Sequence, residues 1–269
     1  MIGFNYLGKL GQLGNQMFQY ASLKGIANQN GYNYCIPNHN EIFEDGLGNR
    51  LHIELFKPFV LENFNDLNVQ LIDKDRPVVQ EGSFHFNEEL FNNCPDWVCL
   101  YGFFQTEKYF KNIEQEIRED FRFKDDILIP CKEMMDEFGE PPLSLHIRRG
   151  DFLINSANHH NLGLDYYEKA LAEFPMEVPV LIFSDDPDWC SEQELFADDR
   201  FLVAEGNSPY VDMCLMSMCE GHIIANSSFS WWGAWLANSQ KVVAPSIWFG
   251  PNNAHLDIKD LYLDHWEVI

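Results

Sequence analysis

The chain has 269 residues, 46% of them apolar, and a formal net charge of -24. That length can bury a sizeable core in one large or two smaller domains. The acidity excludes broad nucleic-acid binding and polybasic attachment to anionic lipid. An anionic small ligand stays compatible, because local arginines and helix ends set the field inside a site. The seven cysteines include no Cys-x-x-Cys pair, which reads as reduced, buried thiols in a cytoplasmic protein. No apolar run reaches about eighteen residues and no signal-peptide pattern opens the chain, so no integral membrane segment is expected.

In chain order, a short apolar start leads into the glycine-punctuated loop Gly8-Lys9-Leu10-Gly11-Gln12-Leu13-Gly14-Asn15-Gln16. A helix pattern follows, with Phe18, Ala21, Gly25 and Ile26 on one face and Gly31 as a stop. Such a loop can cradle phosphate, but its spacing fits neither a P-loop nor a GxGxxG fingerprint, and a plain tight turn reads equally well. Residues 35 to 110 are irregular, with strand-like runs such as Val69 to Ile72 and many phenylalanines. Glu107 to Arg122 reads as a helix. Glu137-Phe138-Gly139-Glu140-Pro141-Pro142 breaks structure, and it divides the chain into domains 1-138 and 139-269, with a final segment able to pack back on the first.

Beyond that break, strands and helices alternate. Strands are predicted at Leu143 to Ile147, Val178 to Phe183, Phe201 to Ala204, His222 to Ala225 and Lys241 to Ala244. Helices are predicted over Asp165 to Phe174, after the Ser208-Pro209 cap, and from Asn226-Ser227-Ser228 through Trp231, Trp232 and Trp235. This alternation predicts an α/β fold with a parallel, Rossmann-like sheet.

Four polar clusters then fall at strand ends or helix starts: His146/Arg148/Arg149/Asp151, Asp185/Asp186, Asp212, and Asn226/Ser227/Ser228. Adjacent guanidiniums at a strand's carboxyl end suit phosphate oxygens. An interdomain salt bridge is the bland alternative for the arginine pair. Serine hydroxyls with the free N–H groups of a helix start make an anion site, or only a cap. Asp212 suits a helix's first turn whether or not it meets a ligand. Asp73 and Asp75 could hold a divalent cation on a nucleotide-sugar, or form a surface turn. His159-His160 lacks a third ligand at metal-site spacing. Trp231, Trp232 and Trp235 read as core or as a sugar platform.

Taken together, these residues resemble the bacterial and viral-type α-1,2-fucosyltransferases of glycosyltransferase family 11. The resemblance rests on Gly11 to Ala21, Gly102 to Phe110, His146 to Phe152 and Asn226 to Trp235. Asp165-Tyr166-Tyr167 and Phe183-Ser184-Asp185-Asp186 support it. Gln12 departs from the usual second glycine of the first segment, and residues 40 to 100 match poorly.

The resemblance implies a GT-B-like architecture, two Rossmann-like domains facing across a cleft. It also implies transfer of L-fucose from GDP-β-L-fucose to the 2-hydroxyl of a galactose-containing glycan, with inversion and no required metal or cofactor. It implies that Arg148 and the N–H groups near Ser227 and Ser228 hold the diphosphate, and that His146 and Asp212 reach the guanine. Arg149 and Asp185 shape the donor site with Asn226, and Asn15 and Gln16 approach from the other half. Asp151, His159, His160 and Asp165 are the candidates for a general base. Other readings are a metal-dependent sugar transferase or a non-catalytic carbohydrate-binding protein.

Overall fold

The computed structural model describes residues 1–44 and 50–269, which divide into two compact units. Unit 1 comprises Met1–Lys124 with Asp257–Leu261, and unit 2 comprises Asp125–Leu256 with Tyr262–Ile269. The division therefore falls ahead of the Pro141-Pro142 break. The cause is the helix Asp125–Asp136, which begins unit 2: the Cys131 thiol is fully buried and points at the Val211 carbonyl 3.8 Å away. A break in periodicity marks the end of a helix, not the end of a packing unit.

Unit 1 runs β1 (Ile2–Gly3), α1 (Leu13–Gln29), β2 (Tyr34–Cys35), β3 (Phe43–Glu44), β4 (Arg50–Leu51), β5 (Val78–Gln80), α2 (Glu88–Asn93), β6 (Val98–Tyr101) and α3 (Glu114–Asp120). Its sheet has the order β2-β1-β6-β5, with every pairing parallel. Val69 to Ile72 supplies only a bridge from Val69 to Ile36, and 107–122 is no single helix but two 3-10 turns followed by α3. Phe110, at φ -135°, interrupts it.

The first helix is buried on nearly every side rather than along one stripe. Gly25 permits this, because a Cβ there would lie 1.9 Å from the Tyr109 carbonyl oxygen. Most of its interior polar groups are paired, as buried groups generally are, although the Gln19 side-chain oxygen finds no partner. Lys24 forms an ion pair with Asp120, and the two side chains are 5% and 0% exposed. Tyr20 donates to the same carboxylate at 3.0 Å, and the Asn63 backbone N–H does so at 2.9 Å.

Unit 2 opens with α4 (Asp125–Asp136) and continues β7 (Leu143–Ile147), α5 (Gly150–Ile154), α6 (Leu164–Leu171), β8 (Val180–Ser184), α7 (Pro187–Ser191), β9 (Phe201–Val203), α8 (Pro209–Met216), β10 (Gly221–Ile223), α9 (Ser228–Leu236), β11 (Lys241–Ala244) and β12 (Glu267–Val268). The order β12-β11-β10-β7-β8-β9 is parallel throughout. From β7 the chain winds outward through β8 and β9, then returns to β10 on the other side. This doubly wound order opens a crevice at the carboxyl ends of β7 and β10, where such sheets bind ligands.

Leu143, Leu145, Ile147, Val180 and Ile182 form one core with Tyr166 and Tyr167 of α6. The period-two pattern of β7 suggests one covered face, yet all five of its residues are buried, Ser144 and His146 included. Trp231, Trp232 and Trp235 are fully buried, which makes them core and not a sugar platform.

Candidate active site

β10 pairs with β7, so Asn226-Ser227-Ser228 comes next to the HxRRGD segment in space although about 75 residues separate them in sequence. Past β7, the Arg148 guanidinium reaches Asp151 Oδ1 at 2.6 Å and Asp185 Oδ2 at 3.1 Å, and it keeps 21% of its side chain exposed. The arginine pair does form salt bridges, but these lie within unit 2 rather than between domains. They leave Arg148 ligand-competent, since a guanidinium has five N–H donors.

Arg149 is more tightly held. Its Nε donates to Asp186 Oδ2 at 2.9 Å, and the guanidinium lies 3.8 Å over the Trp189 ring. Asp185 accepts from the Arg149 backbone N–H at 2.9 Å. This approach requires glycine at 150, where a Cβ would meet Asp185 Oδ2 at 2.4 Å.

His146 is 5% exposed, lies 5.7 Å from the Phe229 ring, and has no hydrogen-bond partner at Nδ1. Burial, reinforced by the charge of Arg148, pushes its pKa down to about 3, so the ring is neutral. A buried orphan nitrogen beside the switch point is the kind of group a ligand or an ordered water satisfies. Asp212, in the first turn of α8, accepts from Asn207 Nδ2 at 3.0 Å. Burial pushes its carboxyl up to about 6, against the opposing hydrogen bond.

Ser227 caps α9 by accepting from the Phe229 N–H at 3.3 Å, and Ser228 is the first helical residue. Asn226 is a brace. Its buried amide donates to the His160 and Trp248 carbonyls, both at 2.8 Å. His159 stacks on Phe152 with centroids 4.1 Å apart, and burial lowers its pKa, with Asp151 opposing the shift and Arg148 adding to it. Asp165 lies in the first turn of α6.

In unit 1, Gln105 Nε2 donates to Asn15 Oδ1 at 2.7 Å. Gln16 is 1% exposed, and its amide is spent on the His52 and Gly11 carbonyls and on the Glu54 N–H. It anchors residues 52–54 on α1, so Asn15 is the partly accessible member of the pair. Asp73 and Asp75 are exposed, in a turn closed by Arg76 N to Asp73 O at 3.0 Å. Among the described residues, no three His, Cys, Asp or Glu side chains gather as a metal site, and no helix is long and apolar enough to cross a membrane. Trp189 escaped the sequence reading, and Phe152 and Phe229 entered it only within the family segments, with no role of their own. Each flanks a charged or polar group only through tertiary packing, which spacing does not encode.

The glycosyl transferase family 11 model matches residues 2–269. An α-1,2-colitosyltransferase of Escherichia coli is 34% identical over 268 residues, covering 89% of this chain and 90% of that one. Galactoside α-(1,2)-fucosyltransferase 1 of Leontocebus fuscicollis is 24% identical over 254 residues, covering 86% of this chain; the chain spans 65% of that relative's length. Among solved structures, POFUT1 in complex with GDP-fucose superposes with a TM-score of 0.57 at 11% identity, over 90% of this chain and 96% of that one. That likeness bears on fold alone and agrees with the parallel sheets in each unit: the fold is α/β, of the GT-B type. The chain belongs to glycosyl transferase family 11 and is a glycosyltransferase.

Proposed function

We propose that the protein transfers L-fucose from GDP-β-L-fucose to the 2-hydroxyl of a galactose-containing glycan, with inversion and without a metal ion. The observation that carries this reading is the juxtaposition, at the β7/β10 crevice, of the partly exposed Arg148 with the amino terminus of α9. Departure of GDP puts negative charge on the diphosphate and positive charge on the sugar ring. A fixed guanidinium and helix N–H groups stabilise the first without a bound cation.

In this reading His146, neutral and with a free ring nitrogen, and Asp212, close to titrating, address the guanine. Arg149 and Asp185 hold the shape of the phosphate loop, Asn226 braces it, and Asn15 of α1 is a further donor-binding residue. A β-linked donor and an α-linked product require the acceptor hydroxyl to attack the face opposite GDP. Of the base candidates Asp151, His159, His160 and Asp165, His159 is neutral and able to take a proton, whereas Asp151 is tied to Arg148. Seven buried free thiols support a cytoplasmic setting.

The Escherichia coli relative, an α-1,2-colitosyltransferase by name, favours a second reading in which the GDP-linked sugar is colitose. The test is thermal stabilisation by GDP, UDP and ADP in EDTA, followed by transfer assays on β-galactosides with either donor. Stabilisation by GDP alone and transfer surviving EDTA support the proposal; no response to GDP sinks it. A preference for GDP-colitose moves the donor to the second reading.

A further inference from the structure

Glu81 follows β5 directly, at the carboxyl end of unit 1's parallel sheet, and none of the roles above uses it. Its two carboxylate oxygens are divided between two backbone donors: Oε2 accepts from the Phe103 N–H at 2.8 Å and Oε1 from the Phe104 N–H at 3.0 Å. Those amides belong to a turn of unusual backbone. Gly102 has φ +153° and Phe104 has φ +54°, a conformation a bulky residue holds only under constraint. A Cβ at Gly102 would lie 2.5 Å from Glu81 Cβ, so the carboxylate and the turn are in close contact.

The carbonyl side of the same turn is held by α1. Gln19 Nε2 donates to the Gly102 carbonyl at 3.2 Å and Ser22 Oγ to the Phe104 carbonyl at 3.3 Å. The next residue, Gln105, donates to Asn15 at 2.7 Å. Two α1 side chains and one carboxylate thus fix the turn from both sides, and Gln105 at its end sets the Asn15 amide.

We propose that Glu81 is a positioning residue for sugar transfer, its ionised carboxylate locking the 102–105 turn that orients Asn15. This rests on the reading that the chain transfers sugar from a GDP-linked donor. The protonated acid cannot do the same, because one oxygen becomes a hydroxyl and no longer serves an N–H as a strong acceptor. Burial pushes the Glu81 carboxyl up to about 7, against the two backbone hydrogen bonds, so both forms are populated near neutrality. The ionisable groups around it are Tyr109, which feels both Glu81 and Asp260; Asp260, paired with Lys108; Tyr101, whose carbonyl accepts from Glu81 N; and His85 on its own segment.

Two measurements test this. In the full chain labelled with 15N-phenylalanine, the Phe103 and Phe104 amide resonances should shift together with a midpoint near pH 7. Glu81→Gln, whose NH2 group mimics the protonated state at every pH, should abolish that shift. In transfer assays the wild type should gain activity as pH rises through 7. Glu81→Gln should lose about tenfold in kcat at pH 8 and lack that limb, with its stabilisation by GDP unchanged. Amides that do not titrate, or a Glu81→Gln enzyme that keeps the limb or stays within twofold of wild-type kcat, overturn the proposal. A wild type that neither responds to GDP nor transfers sugar removes the functional reading instead, and with it the catalytic consequence.

Discussion

The two units share a parallel-sheet plan and differ in how their polar groups are used. At the strand ends of unit 2 the working groups are charged: two arginines are matched with Asp151, Asp185 and Asp186 within about 3 Å. Around α1 in unit 1 most are neutral carboxamides and hydroxyls bonded to backbone, with Lys24–Asp120 sealed deep inside. A partly exposed charge pair can exchange partners with an anionic ligand. A buried, mostly bonded network cannot do so without unfolding something. The difference teaches that unit 2 keeps charge partly exposed at its strand ends, whereas unit 1 commits its polar groups to holding geometry.

The largest expected effect breaks the geometry. Lys24→Met leaves Asp120 buried without its cation and should cost about 3–5 kcal/mol of stability, read from urea unfolding. A loss below about 1 kcal/mol would show that the network is no more than a surface-type ion pair. Next comes the charge. Arg148→Ala should keep the fold and lower kcat/KM by about 10²–10³, the size seen when a single transition-state donor to developing negative charge is removed. If instead the protein loses stability with no effect on turnover, the arginine is only the counter-ion of Asp151 and Asp185.

Legibility followed the same division. Strands β7, β8 and β11 are four or five residues long, and their apolar runs placed them in sequence; Lys241–Ala244 fell where expected. The strands of unit 1 are two to four residues long, too short for any period to show. The helix α1, by contrast, was legible from Phe18, Ala21, Gly25 and Ile26, although its burial extends round nearly every side. The site divided likewise. Arg148 and the serine cap were visible as residue types in place, but the brace role of Asn226 and the enclosure of Gln16 depend on partners 22 to 66 residues away. Glu81 carried no signal, being one acid among many in an acidic chain.

A pH experiment sharpens the comparison at smaller cost. Burial lowers the pKa of His146 to about 3 and of His222 to about 4, from an ordinary 6.5. The unfolded chain then takes up protons the folded unit refuses. The stability these histidines carry is present above pH 6.5 and is lost as pH falls towards 4, by about 2 kcal/mol each between pH 7.5 and 5. Glu81 and Asp212 run the other way. Their raised folded values, about 7 and about 6, mean stability present below the ordinary carboxylate range and lost as pH rises through those values. His222→Gln should therefore flatten the acid side of the unfolding profile, and Glu81→Gln the neutral side. A profile unchanged by His222→Gln would mean that the ring titrates normally.

The smallest expected effect concerns the acidic pair of unit 1. Asp73 and Asp75 lie in an exposed turn, the alternation of charge at Asp73-Lys74-Asp75 already neutralises part of the field, and Arg76 follows at once. A divalent cation held by two solvated carboxylates with a lysine between them would keep most of its water shell and gain little. The double variant Asp73→Asn/Asp75→Asn should accordingly retain transfer within about twofold, with or without EDTA, since substitutions of exposed turn charges usually shift little. A tenfold loss restored by added Mn²⁺ or Mg²⁺ would transfer the charge handling from Arg148 to unit 1 and reverse the division of labour between the two sheets.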